Sequence, residues 1–235
     1  MSRTSMDMTR GSLKKQILFF SIPLMLSNLL QVLFNMSDIA VIGQFAGAMS
    51  LGAVGSTTTL ISMYTGFLIG LSGGINVLTA LYIGARNRKS VSETVHSAFL
   101  VSLVVGLILL ILGVSTSRGV LVLLNTKEEL IDKAALYIRI YFLGIPALAL
   151  YNFGNAVFSA AGDTGRPLRY LFLSGIVNVI LNLFFVIVCK LDVVGVALAS
   201  ALSQCLSAFL IVMALFRSHE DFGLHLAKLR LSKDK

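Results

Sequence analysis

FSIPLMLSNLLQVLFNMSDIAVIGQF, residues 20–45, places an acid inside an apolar run. The run exceeds the ~20 apolar residues that a membrane-crossing helix needs, and Asp38 stands well within it. An ionised side chain in hydrocarbon costs at least ~2.5–3.5 kcal/mol. Asp38 must therefore face protein or water, or stay protonated. Helical geometry gives it company. At about 100° per residue, with Asn28 at zero, Ser21 falls near +20°, Asn35 near −20°, Gln31 near −60° and Asp38 near −80°. Five polar side chains share one stripe, and Leu and Phe cover much of the rest. The stripe is expected to face a cavity or neighbouring helices, where interhelical hydrogen bonding is a plain role for its amides, whereas an unpaired acid such as Asp38 makes poor glue.

The rest of the chain repeats this pattern. Hydrophobic residues make up 56% of the 235 positions and charged ones 13%, with a mean hydropathy of +0.88. Soluble domains run at about 45–50% apolar and about 25% charged, so a polytopic membrane protein is expected. Six apolar stretches, near 16–42, 52–82, 94–114, 134–160, 168–189 and 194–216, read as spans. The expected organisation is a cytoplasmic tail (1–15), a six-helix membrane lobe (16–217) and a basic tail or inter-lobe linker (218–235). The tail from His219 onward reads as an interfacial segment.

Of the 19 Lys and Arg, 14 fall on the side of the two termini and the 2–3 and 4–5 loops, and four on the other side. This asymmetry predicts both termini in the cytoplasm, in a multi-pass protein of the cell (inner) membrane. The net charge of +8 is explained by topology, so no nucleic-acid partner is expected. The lipid bilayer itself is the expected surrounding. Cys189 and Cys205 lie in or near spans without metal spacing and read as small apolar residues.

Ten of the eleven acids lie in tails, loops or span ends; Asp38 alone lies deep in a span. Arg139, near the outer end of the fourth span, is the only base inside one, and snorkelling explains it. Further polar stripes recur at helical spacing. Thr58, Ser62, Thr65, Ser72, Asn76 and Thr79 mark the second span, and Asn152, Asn155 and Ser159 the fourth. Ser174, Asn178 and Asn182 mark the fifth, and Ser200, Ser203, Gln204 and Ser207 the sixth. Such stripes suggest a shared hydrated interior lined by Asn28, Gln31, Asn35, Asn152 and Asn155. Gly66, Gly70 and Gly74 form a G-x3-G-x3-G row that permits close helix approach. Pro23 removes a backbone hydrogen bond and favours a kink, a candidate hinge. GDTGRP (162–167) carries strong turn chemistry. No Walker loop, zinc motif, nucleophile elbow or Cys/His ligand set is present, so neither enzymatic chemistry, a cofactor nor a structural metal is expected. His96, His219 and His225 sit at helix ends or in the tail and are expected at the surface.

Three stretches together, FSIPLMLSNLLQVLFNMSDIAVIGQF (20–45), AAGDTGRPL (160–168) and VNVILNLFFVIVCKLDVVGVALASALSQ (177–204), resemble the multidrug and toxic compound extrusion (MATE) transporters, over essentially the whole length. The resemblance implies an all-α fold of two six-helix lobes around a central cavity, exporting amphipathic organic compounds in exchange for H+ or Na+. It also implies that Asp38 binds the coupling ion, with Asn178, Asn182 and Ser200 as partners and Pro23 as the family's helix-one proline. Na+ could then sit at Asp38, Asn178, Asn182 and Ser200. Asn182 stands where many members carry a second acid, which weakens Na+ binding and favours a proton. Six helices make one lobe, so the expectation is an N-terminal half, with a missing second lobe or a second copy as partner. Two alternatives remain at this point: a lipid-linked oligosaccharide flippase, disfavoured by the scarcity of basic residues in the spans, and a non-transporting membrane assembly subunit.

Overall fold

The computed structural model describes residues 13–218, 220 and 222–224. The described residues are helical, without a strand. The elements are α1 (Leu13–Phe45), α2 (Ala48–Gly84), α3 (Arg88–Leu123), α4 (Glu128–Phe142), α5 (Ile145–Ala160), α6 (Gly165–Leu183), a π-helical turn (Phe184–Val188) and α7 (Asp192–Phe216).

The connections are short because the sequence stops each helix sharply. Gly47, at φ 84°, reverses the chain between α1 and α2, a conformation that costs glycine little. Asn87 caps α3 by accepting a hydrogen bond from the Ser90 amide at 3.1 Å. Gly162, at φ 81°, turns the chain after α5. Asp163 then accepts from the Arg166 amide at 3.1 Å and pairs with its guanidinium at 2.7 Å, opening α6. Arg166 also lies over the Phe158 ring.

Five stretches, Ser21–Phe45, Ala48–Gly84, Arg88–Leu123, Gly165–Val188 and Asp192–Phe216, are long and apolar enough to cross a membrane. The fourth span, expected as one stretch over 134–160, is a broken pair. α4 and α5 pass the same test only together, bent by 47°. The cause is local. The Leu143 and Gly144 amides bond to carbonyls three residues back, closing α4 in a tight turn. Pro146 has no N–H with which to carry the ladder across the break. Gly144 also lies close to α7, where an added Cβ would run into the Gln204 side chain and press on Ala201 Cα.

α5 lies at the centre, packed on α2, α3 and α7, while α1 rests mainly on α6. One buried cluster joins α1, α2, α4 and α7 around Ile42, Val54, Phe142 and Val196. A second joins α3, α5 and α7 around Val95, Tyr151, Phe158 and Ile211. The exposed surface is rich in Leu, Ile, Val, Met and Phe, as a lipid-facing surface has to be.

Three expectations are corrected. His96 is buried on α3, its Nδ1 2.6 Å from the Ser92 carbonyl, with the helix running on well past it. His219 and His225 lie outside the described residues. The Gly66, Gly70 and Gly74 row meets no neighbour within the described residues, because α2 packs through Val54, Thr57, Leu60 and Leu68 on another face. The tail is not wholly interfacial. Phe222 and Leu224 are buried, with the Phe222 ring edge-on to Phe158 and the Leu224 amide donating to Leu215 O at 3.1 Å. The expected tail 1–15 and the tail beyond Leu224 fall largely outside the described residues.

Candidate functional site

Asp38 is buried, at 5% exposure, where α1 meets α6 and α7. Both its carboxylate oxygens are held. Asn182 Nδ2 donates to Oδ1 at 2.5 Å and Ser200 Oγ donates to Oδ2 at 2.7 Å. Asn182 Nδ2 also donates to Asn178 Oδ1 at 3.1 Å. Asn178 Nδ2 in turn reaches Ser200 Oγ at 3.3 Å and Ser203 Oγ at 3.4 Å. The four residues read from the sequence as an ion-coupling group thus form one connected network. Asn178 and Asn182 are one turn apart on α6, so their amides stack along the face presented to α1. The π-helical turn begins two residues after Asn182; such turns widen a helix locally and are frequent at functional sites.

The network keeps one loose end. Asn182 Oδ1 is buried with no hydrogen-bond partner among the described residues. The available oxygens are one carboxylate, two amide oxygens and two hydroxyls. The described residues hold no cluster of three His, Cys, Asp or Glu side chains, so high-affinity transition-metal chemistry has no ligand set here. Hard-cation coordination by oxygen does fit, with Asn182 Oδ1 as the uncommitted donor atom.

A cleft opens beside the network. Gln31, Asn35, Asp38, Asn178 and Ser200 line it, joined by Phe34, Thr65, Tyr141, Tyr151, Ser174, Gly175, Ser203 and Gln204. Three residues expected at a cavity are not among those lining this cleft. Asn28 is exposed and outside the cleft. Asn152 is buried and donates to Leu148 O, one turn back on its own helix. Asn155 accepts from Ser159 Oγ at 3.5 Å. Shared angular phase puts side chains on one face without saying how far along the helix the cleft extends, and short amides satisfy themselves on nearby backbone. The α5 side chains in the cleft are Leu148 and Tyr151, Asn152's neighbour, whose hydroxyl donates to Pro167 O at 3.2 Å. Pro23 lies within an unbroken α1, and Ser27 Oγ donates to its carbonyl at 2.9 Å. Arg139 is exposed and turns away from Asp38, its Nε donating to Ser117 Oγ at 3.3 Å.

Sequence reasoning left Tyr141 and Tyr151 out of the site. Tyr141 stands three residues before the break at Gly144, where the helical phase changes and a stripe read through α5 cannot be extended into α4, and Tyr151 lies within α5, one position before the polar Asn152. Ser203 was legible as a member of the α7 stripe, three residues from Ser200.

A family model described as MatE matches residues 23–184, more than half of the chain. The chain belongs to the MATE family. Among its relatives, the probable multidrug resistance protein YpnP of Bacillus subtilis (strain 168) is 35% identical over 200 residues, covering 84% of this chain and 44% of the relative. The probable multidrug resistance protein NorM of Thermotoga maritima is 26% identical over 212 residues, covering 88% and 46%. A crystal structure of MATE in the bent conformation superposes with a TM-score of 0.89 at 26% identity, covering 95% of this chain and 50% of that one. The fold is therefore that of one MATE lobe, in a multi-pass membrane protein. The chain spans about half the length of the curated relatives it matches.

Proposed function

We propose that this lobe carries the coupling site of a cation-driven multidrug efflux antiporter, with Asp38 as the group that takes up H+ or Na+ and Asn178, Asn182 and Ser200 as its partners. The reading rests on one observation: a buried carboxylate clasped by donors from two later helices. A desolvated charge is tolerable only when so compensated, and a group that alternates between compensated and neutralised forms is suited to coupling. Proton uptake neutralises Asp38 and weakens its hold on Ser200 and Asn182. Na+ binding requires an oxygen to replace a donor, and turning the Asn182 amide over would supply its Oδ1. Either event loosens α1 from α6 and α7, and Pro23, which interrupts the ladder of α1, is the proposed point of bending.

The proposed arrangement has a second six-helix lobe, supplied by further chain or by a second copy. Alternating access then rocks one lobe against the other, as in other repeat-built carriers. The substrates are amphipathic organic compounds, the membrane is the cell membrane and both termini are cytoplasmic; the relatives' multidrug names and the charge asymmetry of the loops support these readings. The deciding experiment introduces Asp38→Asn into the protein expressed from its complete gene and measures dye efflux from proteoliposomes under an imposed pH or Na+ gradient. Loss of gradient-driven efflux is expected. Undiminished efflux would overturn the coupling role.

A further inference from the structure

Asp38 is held in place by something besides its hydrogen bonds. One helical turn before it, the tip of the Phe34 ring lies against Gly175 of α6, and a Cβ at that glycine would overlap the ring at Cζ. Phe34 and Asp38 are four residues apart and project from one side of α1. Gly175, Asn178 and Asn182, spaced by three and four, project from the facing side of α6. The two helices therefore meet on two rungs, one turn apart on α1 and two turns apart on α6: a ring against a glycine, and a carboxylate against an amide. Gly175 is buried, and both members of the apolar rung line the same cleft as Asp38.

The apolar rung sets the spacing for the polar one. The bonds to Asp38, at 2.5 and 2.7 Å, come from helices far away in sequence. A shift of α1 by about 1 Å would stretch them past useful length. A ring resting on bare backbone fixes both how closely α1 approaches α6 and how far it is rotated, because a packed interface resists small displacements. We propose that Phe34 and Gly175 form a knob and a hole that position Asp38 against Asn182 and Ser200, so that α1 leaves its ion-holding position only when the ring leaves the notch. The proposal rests on the coupling role of Asp38 given above and assigns two positioning residues to it.

The test measures dye efflux in proteoliposomes holding the protein from the complete gene, titrated with pH and with Na+, for Gly175→Ala, Phe34→Ala, Phe34→Leu and the pair Gly175→Ala with Phe34→Leu. Thermal unfolding is followed in parallel. Gly175→Ala fills the hole and Phe34→Ala removes the knob; each is expected to shift the half-saturating cation concentration at least about tenfold, the effect of losing one hydrogen bond to a charged group. The shift is upward for Na+, which loses oxygen ligands, and downward for H+, because a carboxylate that loses its donors takes up a proton more readily. In the paired variant a smaller knob meets a shallower hole, and most of that shift is expected to reverse. If Gly175→Ala does not yield folded protein, Phe34→Ala, which removes atoms and adds none, carries the test. An unchanged cation dependence in Phe34→Ala, or a paired variant no better than Gly175→Ala alone, overturns the proposal. Asp38→Asn in the same assay separates the two readings. Full coupling in that variant sinks the role of Asp38, whereas loss of coupling there together with unaltered knob and hole variants sinks only the positioning.

Discussion

Ser200 Oγ lies 2.7 Å from Asp38 Oδ2 across 162 residues of sequence. The contact makes α7 a direct partner of the only acid deep in the first span. Removing the hydroxyl leaves the carboxylate with one donor instead of two. Ser200→Ala is expected to lower gradient-driven efflux by about tenfold or more, since hydrogen bonds to charged groups contribute about 1.5–3 kcal/mol. Ser200→Thr keeps the hydroxyl and should retain most of the activity. Equal loss in both variants would remove the hydroxyl from the account.

Asn182 offers a gain-of-function test. Asn182→Asp brings a second carboxylate to the oxygen cluster, and hard cations bind more tightly as ligand charge rises. The half-saturating Na+ concentration for efflux is expected to fall. A rise, or no change, would show that Na+ does not use this position.

Phe222 tests the docked tail. It is 6% exposed and meets Phe158 edge-on, and truncating a buried Phe costs about 3–5 kcal/mol. Phe222→Ala should lower the unfolding temperature in detergent by several degrees. An unchanged temperature would mean that the tail does not stay docked in solution.

Lys133 Nζ lies 2.7 Å from Asp192 Oδ2 and 3.0 Å from Ser50 Oγ, joining α4, α7 and α2 at one end of the bundle. Both partners are partly exposed, so the pair is expected to contribute no more than about 1 kcal/mol. A double-mutant cycle of Lys133→Met and Asp192→Asn, read by thermal unfolding at low and high salt, should give a small coupling that fades with salt.

Much of the lobe was legible because lipid restricts what a sequence can do. Apolar stretches of sufficient length marked the spans, and an acid within one of them had to find partners. Its partners Asn178, Asn182 and Ser200 were named through the family resemblance, since the polar stripes of the second and fourth spans offered comparable groups. Distance along the bundle was less legible. Asn28 shares the angular stripe of Asp38 but lies outside the cleft, and Asn152 satisfies its amide one turn back on α5. The break at Gly144 was hidden because 134–160 is apolar on both sides of it. Its cause combines the missing amide of Pro146 with the close approach of Gln204, and the second depends on tertiary packing. His96 and Leu224 were misplaced for a similar reason: burial of a helix end or a tail is decided by what folds over it.

The long sequence separation of the Asp38 clasp also orders the protein's birth. The carboxylate enters the bilayer with the first helix, yet its amide and hydroxyl partners belong to α6 and α7. Until those helices are made and inserted, the newborn chain holds an acid that nothing downstream has neutralised. Nascent chains stopped between residues 45 and 178 should therefore be the ones that quality-control proteases remove fastest, and replacing the acid by asparagine should lengthen their lives.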